Sequence, residues 1–479
     1  MVNGQTLDQQ DELTYLGVTL RYDLSWRKHL LDKVGKGKKL LNLAKAAVGR
    51  EWGLDPQRAL WTYTAFVRPM ITHGSIVWAS RMTSSQKKAL DSVQRLALLN
   101  ITHSMRSTPT RGMEVTLGLE PLHIHATRLA AQCRIRIRDD CTESWDGIGN
   151  NSKITGHAKQ LDTLVAKTCP RMYPIDHMTR RRDWITNEVV EQPEITLFTD
   201  GSKLDGEAGM GWAICQDDSV LAEERCYLGR RASVFQAEVI AIHRALQWVQ
   251  ENCPEPTSVK IRSDSQAAIS AIFAVETASK IVHDCREVLK KSKENHRIGI
   301  EWIKGHANHT GNELADMLAK EGSMLRTQHC DPVTPIPMCD IKMDIKLLCH
   351  RKWQEEWDGE KACRQTKLFF PRVGEKITKL TSVHSKRNLN LLVQAGTGHA
   401  LVAHHLGQWQ EMQDQCKMCL EDYKTTEHLF FECPAMQSAR RDALQYGTTE
   451  KRIISFFNCK VMRDLFTERS NQCQTNVEI

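Results

Sequence analysis

No apolar run in this 479-residue chain approaches the roughly 18 residues that a membrane span requires, so no spanning helix is expected. The first residues, "MVNGQTLDQQDEL", lack the basic start and apolar stretch of a secretory signal, and none is expected. Internal repeats and low-complexity tracts are missing as well. Sixteen cysteines occur, mostly scattered singly, which fits a reducing compartment better than a disulfide framework. What is present, 41% hydrophobic and 26% charged residues, describes a globular chain. Its length allows roughly three domains of about 150 residues.

The net charge of +7 is unevenly spread. Residues 1–190 carry a net +10 (28 basic, 18 acidic), residues 191–325 a net −6 (15 and 21), and residues 326–479 a net +3 (22 and 19). Basic flanks suit phosphate contact, and clustered acids in the centre suit divalent cations.

The first 190 residues read as mainly helical. "LTYLGVTL" (Leu13–Leu20) reads as one strand, followed by a basic amphipathic helix. "PQRALWTYTAFVRPMITHGSIVWA", opening at Pro56, reads as a second long helix and "SSQKKALDSVQRLALLNIT" as a third. From about Ala131 to Arg182 the pattern weakens into a connector. The middle differs: "EITLFTD", "GMGWAICQ" and "SVLAEERCYL" read as strands, and "SVFQAEVIAIHRALQWVQEN" as a helix capped by Ser233. A strand "SVKIRSD", two helical stretches, a strand "GIEWIKGH" and a helix "GNELADMLAKEG" follow. That order predicts an α/β mixed sheet with helices on its faces. After the linker "DPVTPIPMCD", helices are expected around Lys342–Asp358 and Asn388–Gln394.

Four acids of the middle segment belong together. Asp200 and Asp264 are placed at strand ends, Glu238 and Asp316 in first turns of helices. Taken singly, Asp200 in "TLFTDGSK" reads as a turn residue, Asp264 as a cap for the next helix and Asp316 as a solvated helical residue. Taken together, four converging carboxylates would repel one another unless divalent cations joined them, and Mg²⁺ prefers such oxygens. Two metal ions at one site suit phosphodiester hydrolysis.

The motifs "TDGS", "FQAE", "SDSQ" and "KGHANHTGNELAD", in that order, resemble the type 1 ribonuclease H family across about Glu194–Ser323. The resemblance implies a ribonuclease H-like mixed five-stranded sheet flanked by helices, and cleavage of the RNA strand in RNA–DNA hybrids. It implies Asp200 bridging two Mg²⁺ ions, with Mn²⁺ admitted as a substitute. Asp316 would complete the site that activates water, and Glu238 with Asp264 the leaving-group side. His306 matches the family's mobile-loop histidine, suited to proton movement or product release; His309 reads as a surface histidine. Gly201, Ser202 and Gln266 match positions along the hybrid's minor groove, where 2′-hydroxyls are sensed. The chain departs from the family in placing Val234 and Phe235 before Gln236.

"CKMCLEDYKTTEHLFFEC" sets Cys416, Cys419, His428 and Cys433 at C-x₂-C-x₈-H-x₄-C, a spacing suited to a tetrahedral Zn²⁺ site. It resembles the Cys/His motif near the C-terminus of non-LTR retrotransposon polyproteins, as does the upstream "QAGTGHALVAHHLG" with His399, His404 and His405. "YLGVTLRYDLSWRKHL" resembles the start of the thumb in non-LTR reverse transcriptases, but no Tyr-x-Asp-Asp run of a palm is present. A palm would have to come from another chain. The resemblances divide the chain into a thumb-like helical remnant (1–130), a connector (131–190) and a ribonuclease H domain (191–325). A linker and helical region (326–415), the zinc motif (416–433) and a tail (434–479) follow. The expected partner is an RNA–DNA hybrid and no membrane; kinship alone favours the nucleus over the cytoplasm. The rival reading is a catalytically inactive nucleic-acid-binding remnant of a non-LTR reverse transcriptase.

Overall fold

The expected first strand is a hairpin. In the computed structural model, β1 (Glu12–Tyr15) and β2 (Val18–Arg21) pair antiparallel, Tyr15 opposite Val18. Leu16 and Gly17 turn between them with φ of +47° and +77°, as a two-residue hairpin loop requires. The structure describes residues 10–46, 53–136, 156, 160–163, 188–217, 219–274, 277–305, 309–326, 333–374, 386–398, 415–416, 418–421 and 428–445.

The chain divides into two compact units. One takes Met1–Cys133, Glu143–Asn150 and Lys346–Ile479, and the other Arg134–Thr142 and Asn151–Ile345. In the first, α1 (Arg27–Ala46), α2 (Ser84–Thr102), α3 (Thr110–Leu117) and α4 (Leu122–Arg136) form a helical assembly. The long helix expected from Pro56 is broken instead. An α-helical turn Pro56–Thr62 passes through a π-helical turn, Tyr63–Val67, into Arg68–Thr72. It stops at Gly74, whose φ of +68° leaves helical space. The core of this unit joins Leu30, Trp78, Leu98 and Leu122 to Leu389 and Val393 from much later in the chain. Asn390 donates to the Thr102 carbonyl at 3.0 Å, satisfying a carbonyl at the buried C-terminal end of α2.

The second unit holds the mixed sheet. β3 (Ile195–Leu204), β4 (Glu207–Gln216) and β5 (Ser219–Gly229) are antiparallel; β6 (Ser258–Ser263) and β7 (Arg297–Trp302) join in parallel, in the order β5-β4-β3-β6-β7. α5 (Val234–Asn252), α6 (Gln266–Phe273) and α7 (Lys280–Asn295) pack around Leu197, Ile261 and Ile298 of the strands. α8 (Thr310–Met324) lies against β4 so closely that a Cβ at Gly211 would come within 2.4 Å of the Ala319 nitrogen. Glycine there lets helix and strand backbones meet. α9 (Met338–Gly359), α10 (Arg364–Phe369), α11 (Lys386–Thr397) and α12 (Gln437–Leu444) follow. Among the described cysteines, Cys226 is disulfide-bonded. No helix among the described residues is long and apolar enough to cross a membrane.

Candidate active site

Asp200 does not end its strand. β3 continues to Leu204, with Asp200 opposite Gly211 of β4. What ends beside Asp200 is the parallel partner, because the β3–β6 ladder stops at Thr199 and Ser263. The turn chemistry sits further on, at Asp205 and Gly206 (φ of +51° and +83°). Gly201 is therefore a strand residue, and its smallness serves a contact: a Cβ there would lie 2.6 Å from the Glu238 nitrogen and 2.8 Å from the Ala237 Cβ. The start of α5 thus rests directly on β3.

That seat brings Glu238 to Asp200. α5 is opened by a capping box in which the Ser233 hydroxyl accepts from the Gln236 backbone N–H and the Gln236 side chain accepts from the Ser233 N–H. Asp264 follows the end of β6. Ser265, not Asp264, caps α6 by accepting from the Ala268 N–H, so the capping role is filled by its neighbour. The Trp302 indole donates to the Asp264 carbonyl at 3.0 Å, tying the loop to β7.

Asp200, Glu238 and Asp264 each offer an oxygen within 4.8 Å of the others. Asp200 is 8% and Glu238 6% exposed, and Glu238 Oε2 is a buried atom without a hydrogen-bond partner. Burial, then the charges of Asp264 and Asp316, push the Asp200 carboxyl up to about 7 against the Gly201 N–H. Burial, then Asp200 and Asp264, push Glu238 up to about 9. Three such groups are costly as bare anions, and an unsatisfied oxygen among them is the environment a hard cation relieves. The donor set fits Mg²⁺ or Mn²⁺.

Asp316 is not part of this trio. It lies in the second turn of α8, not the first, and its carboxylate accepts from Lys320 at 2.6 Å. It stays near enough for its charge to act on Asp200. His306 lies outside the described residues; His309 precedes α8 as its N-terminal flank without a side-chain capping bond. Gln266 begins α6 and is exposed, while Ser202 is half-buried in β3. Trp302 and Lys320 are neighbours of the acids that the sequence reading missed. Trp302 stands in the strand motif "GIEWIKGH", and Lys320 at four residues from Asp316 is a visible helical pair.

A second cluster lies near the C-terminus. Cys416, Cys419, His428 and Cys433 place one ligand atom each within 4.8 Å of the others. Cys416 Sγ and Cys433 Sγ are 3.8 Å apart, the edge of a tetrahedron with Zn–S bonds of about 2.3 Å. Cys419 Sγ lies 3.2 Å from His428 Nε2. Burial and the neighbouring Cys416 thiol push the Cys433 thiol up to about 11, opposed by the Ala435 N–H. A cation among the sulfurs reverses that preference. The backbone helps: the Cys433 N–H donates to the His428 carbonyl and the Leu420 N–H to that of Cys416, both at 2.7 Å. His399, His404 and His405 lie outside the described residues.

Comparison with known proteins bears on the middle of the chain. The RNase H family model matches residues 192–324. A Gag-Pol polyprotein of Avian reticuloendotheliosis virus is 30% identical over 180 residues, covering 33% of this chain and 15% of the polyprotein. A Ribonuclease H of Dinoroseobacter shibae is 26% identical over 147 residues, 27% of this chain and 91% of that protein. The Retrovirus-related Pol polyprotein from type-1 retrotransposable element R1 of Bradysia coprophila is 25% identical over 128 residues, 26% of this chain and 13% of that polyprotein. Among solved structures, RNase H1 of Halobacterium salinarum matches with a TM-score of 0.23 and 22% identity, covering 27% of this chain and 96% of that one. The chain thus spans a small fraction of the viral and retroelement polyproteins it matches, and most of the length of the bacterial ribonuclease. Its five-stranded sheet with flanking helices has an RNase H-like fold, and the three clustered acids all lie within the segment that the RNase H family model matches.

Proposed function

We propose that this protein is a divalent-metal-dependent endonuclease that hydrolyses the RNA strand of RNA–DNA hybrids. The observation that carries the reading is the convergence of Asp200, Glu238 and Asp264 within 4.8 Å, two of them buried, inside the RNase H match. These three residues would hold the metal, with Asp316 joining from α8 once Lys320 yields it. When bound, two such ions supply Lewis-acid activation of water and charge stabilisation at the leaving oxygen. The chain's own part is placement. β3 sets Asp200 where its parallel neighbour ends, the Gly201 contact seats Glu238, and Trp302 steadies the Asp264 backbone. His306 is proposed to assist proton movement or product release, and Gly201, Ser202 and Gln266 to meet the hybrid's minor groove.

The likeness to retroelement polyproteins supports an origin as part of a retrotransposon product; polymerase activity would require a palm from another chain. The compact Cys₃His cluster supports Zn²⁺ at Cys416, Cys419, His428 and Cys433. The test is cleavage of a labelled hybrid with Mg²⁺ by wild type, Asp200→Asn and Asp264→Asn. Wild type is expected to cut, and each variant to lose more than about 100-fold, beyond what loss of an outer partner of a metal ligand produces. An uncut hybrid, or variants that cut as well as wild type, would refute the proposal.

A further inference from the structure

The acid cluster is braced by residues outside the segment that the family model matches. Leu161 and Ile336, one before and one after that segment, form a parallel β-bridge. The Asp162 N–H donates to the Ile336 carbonyl at 2.8 Å, and the Ile336 N–H to the Gln160 carbonyl at 2.7 Å. Both bridge residues are buried. The two flanking segments are thereby joined into one strap.

The strap grips two helix starts through one side chain. Asp162 Oδ1 accepts from the Ile281 N–H at 3.2 Å, and Oδ2 accepts from the Ser279 hydroxyl at 2.8 Å; both donors open α7. A carboxylate at a helix N-terminus meets unsatisfied N–H groups and the positive end of the dipole. Oδ2 also accepts from Gln236 Nε2 at 3.1 Å. The same nitrogen donates to the Pro335 carbonyl of the strap at 3.1 Å, while Gln236 Oε1 closes the α5 capping box. Gln236 is 1% exposed and stands two residues before Glu238. The first turn of α5 is therefore held on one side by Gly201 and on another by Asp162 and Pro335.

We propose that Asp162 is a positioning residue for the metal-binding acids, and that the working unit includes residues 160–163 and 333–337. By locking Gln236 to the start of α7, it fixes the turn that carries Glu238 relative to Asp200 and Asp264. This inference rests on the proposed metal site. A misplaced Glu238 weakens cation binding even in a fully folded chain.

The test is Mg²⁺ binding to the full chain by calorimetry, with wild type, Asp162→Ala, Asp162→Asn and Gln236→Ala, well below each melting temperature. Asp162→Asn is the milder variant: one oxygen still accepts from Ile281, but an amide replaces the acceptor used by Ser279 and Gln236. The expected result is a Kd raised about 10- to 100-fold in each, the range for outer partners of metal ligands. The Asp162→Ala, Gln236→Ala double variant should raise Kd by less than the product of the two single effects, because both remove the shared Asp162–Gln236 bond. Variants that melt earlier yet bind Mg²⁺ within twofold of wild type would overturn the positioning role. So would additive effects. Hybrid cleavage measured alongside separates the two readings. A wild type that binds Mg²⁺ with the expected variant pattern but cuts no hybrid overturns the nuclease and leaves Asp162 in place. A wild type that binds no Mg²⁺ overturns both.

Discussion

The two ligand clusters of this chain are built in opposite ways. Cys416, Cys419, His428 and Cys433 come from 18 consecutive residues, whereas Asp200, Glu238 and Asp264 come from a strand, a helix and the loop after another strand. In the first, a bound ion would tie together a single short stretch of chain. In the second, the sheet organises the acids, and a bound ion would relieve a repulsion that folding has already imposed.

That contrast can be broken at its strong end first. Cys416→Ser should abolish stoichiometric zinc in metal analysis and destabilise the neighbourhood by several kcal/mol, on the order seen when structural zinc is lost. Its Mg²⁺ response should stay unchanged. Equal zinc content in variant and wild type would remove Cys416 from the ligand set.

A smaller effect of the opposite sign is expected at the acids. Asp200 and Glu238 both titrate above their unfolded values, near 7 and 9. The contribution of these two groups to metal-free stability is therefore fully present below the unfolded carboxylate pKa, near pH 4, and is lost as pH rises through about 7 and then 9. Asp200→Asn should accordingly raise the metal-free melting temperature at pH 8, through about 2 kcal/mol. Saturating Mg²⁺ should stabilise wild type by about 2.7 kcal/mol at a hundredfold excess over Kd, and the variant much less. A destabilised variant at pH 8 would show that the acids are not strained. Smallest of all is Lys320→Ala. The Lys320–Asp316 pair is exposed, so chemical denaturation should shift by no more than about 0.5 kcal/mol. A larger loss would make that pair structural and leave Asp316 unavailable to a metal.

How much was legible follows from the same contrast. Spacing alone marks the Cys/His set, because all four ligands sit within one short stretch. Strand and helix order in the middle was readable from alternation and from the Ser233 cap, and α2 begins and ends where "SSQKKALDSVQRLALLNIT" does. Asp200 was misplaced at a strand end because its apolar run stops there, while β3 continues on β4 alone, out of reach of β6. The π turn at Tyr63–Val67 left no mark in a continuous helical pattern. Asp162 was invisible for a plainer reason: its partners Gln236 and Ser279 lie 74 and 117 residues away, and only the fold brings them together.

The central claim is metal-dependent cutting of one strand of a hybrid, and one measurement meets it directly. An RNA–DNA hybrid labelled on both strands is incubated with the full chain as Mg²⁺ is titrated. The RNA strand should be cut in proportion to Mg²⁺ occupancy, with the DNA strand and free single-stranded RNA left whole. Cutting that ignores Mg²⁺, or that spares the hybrid while degrading single-stranded RNA, would contradict the account.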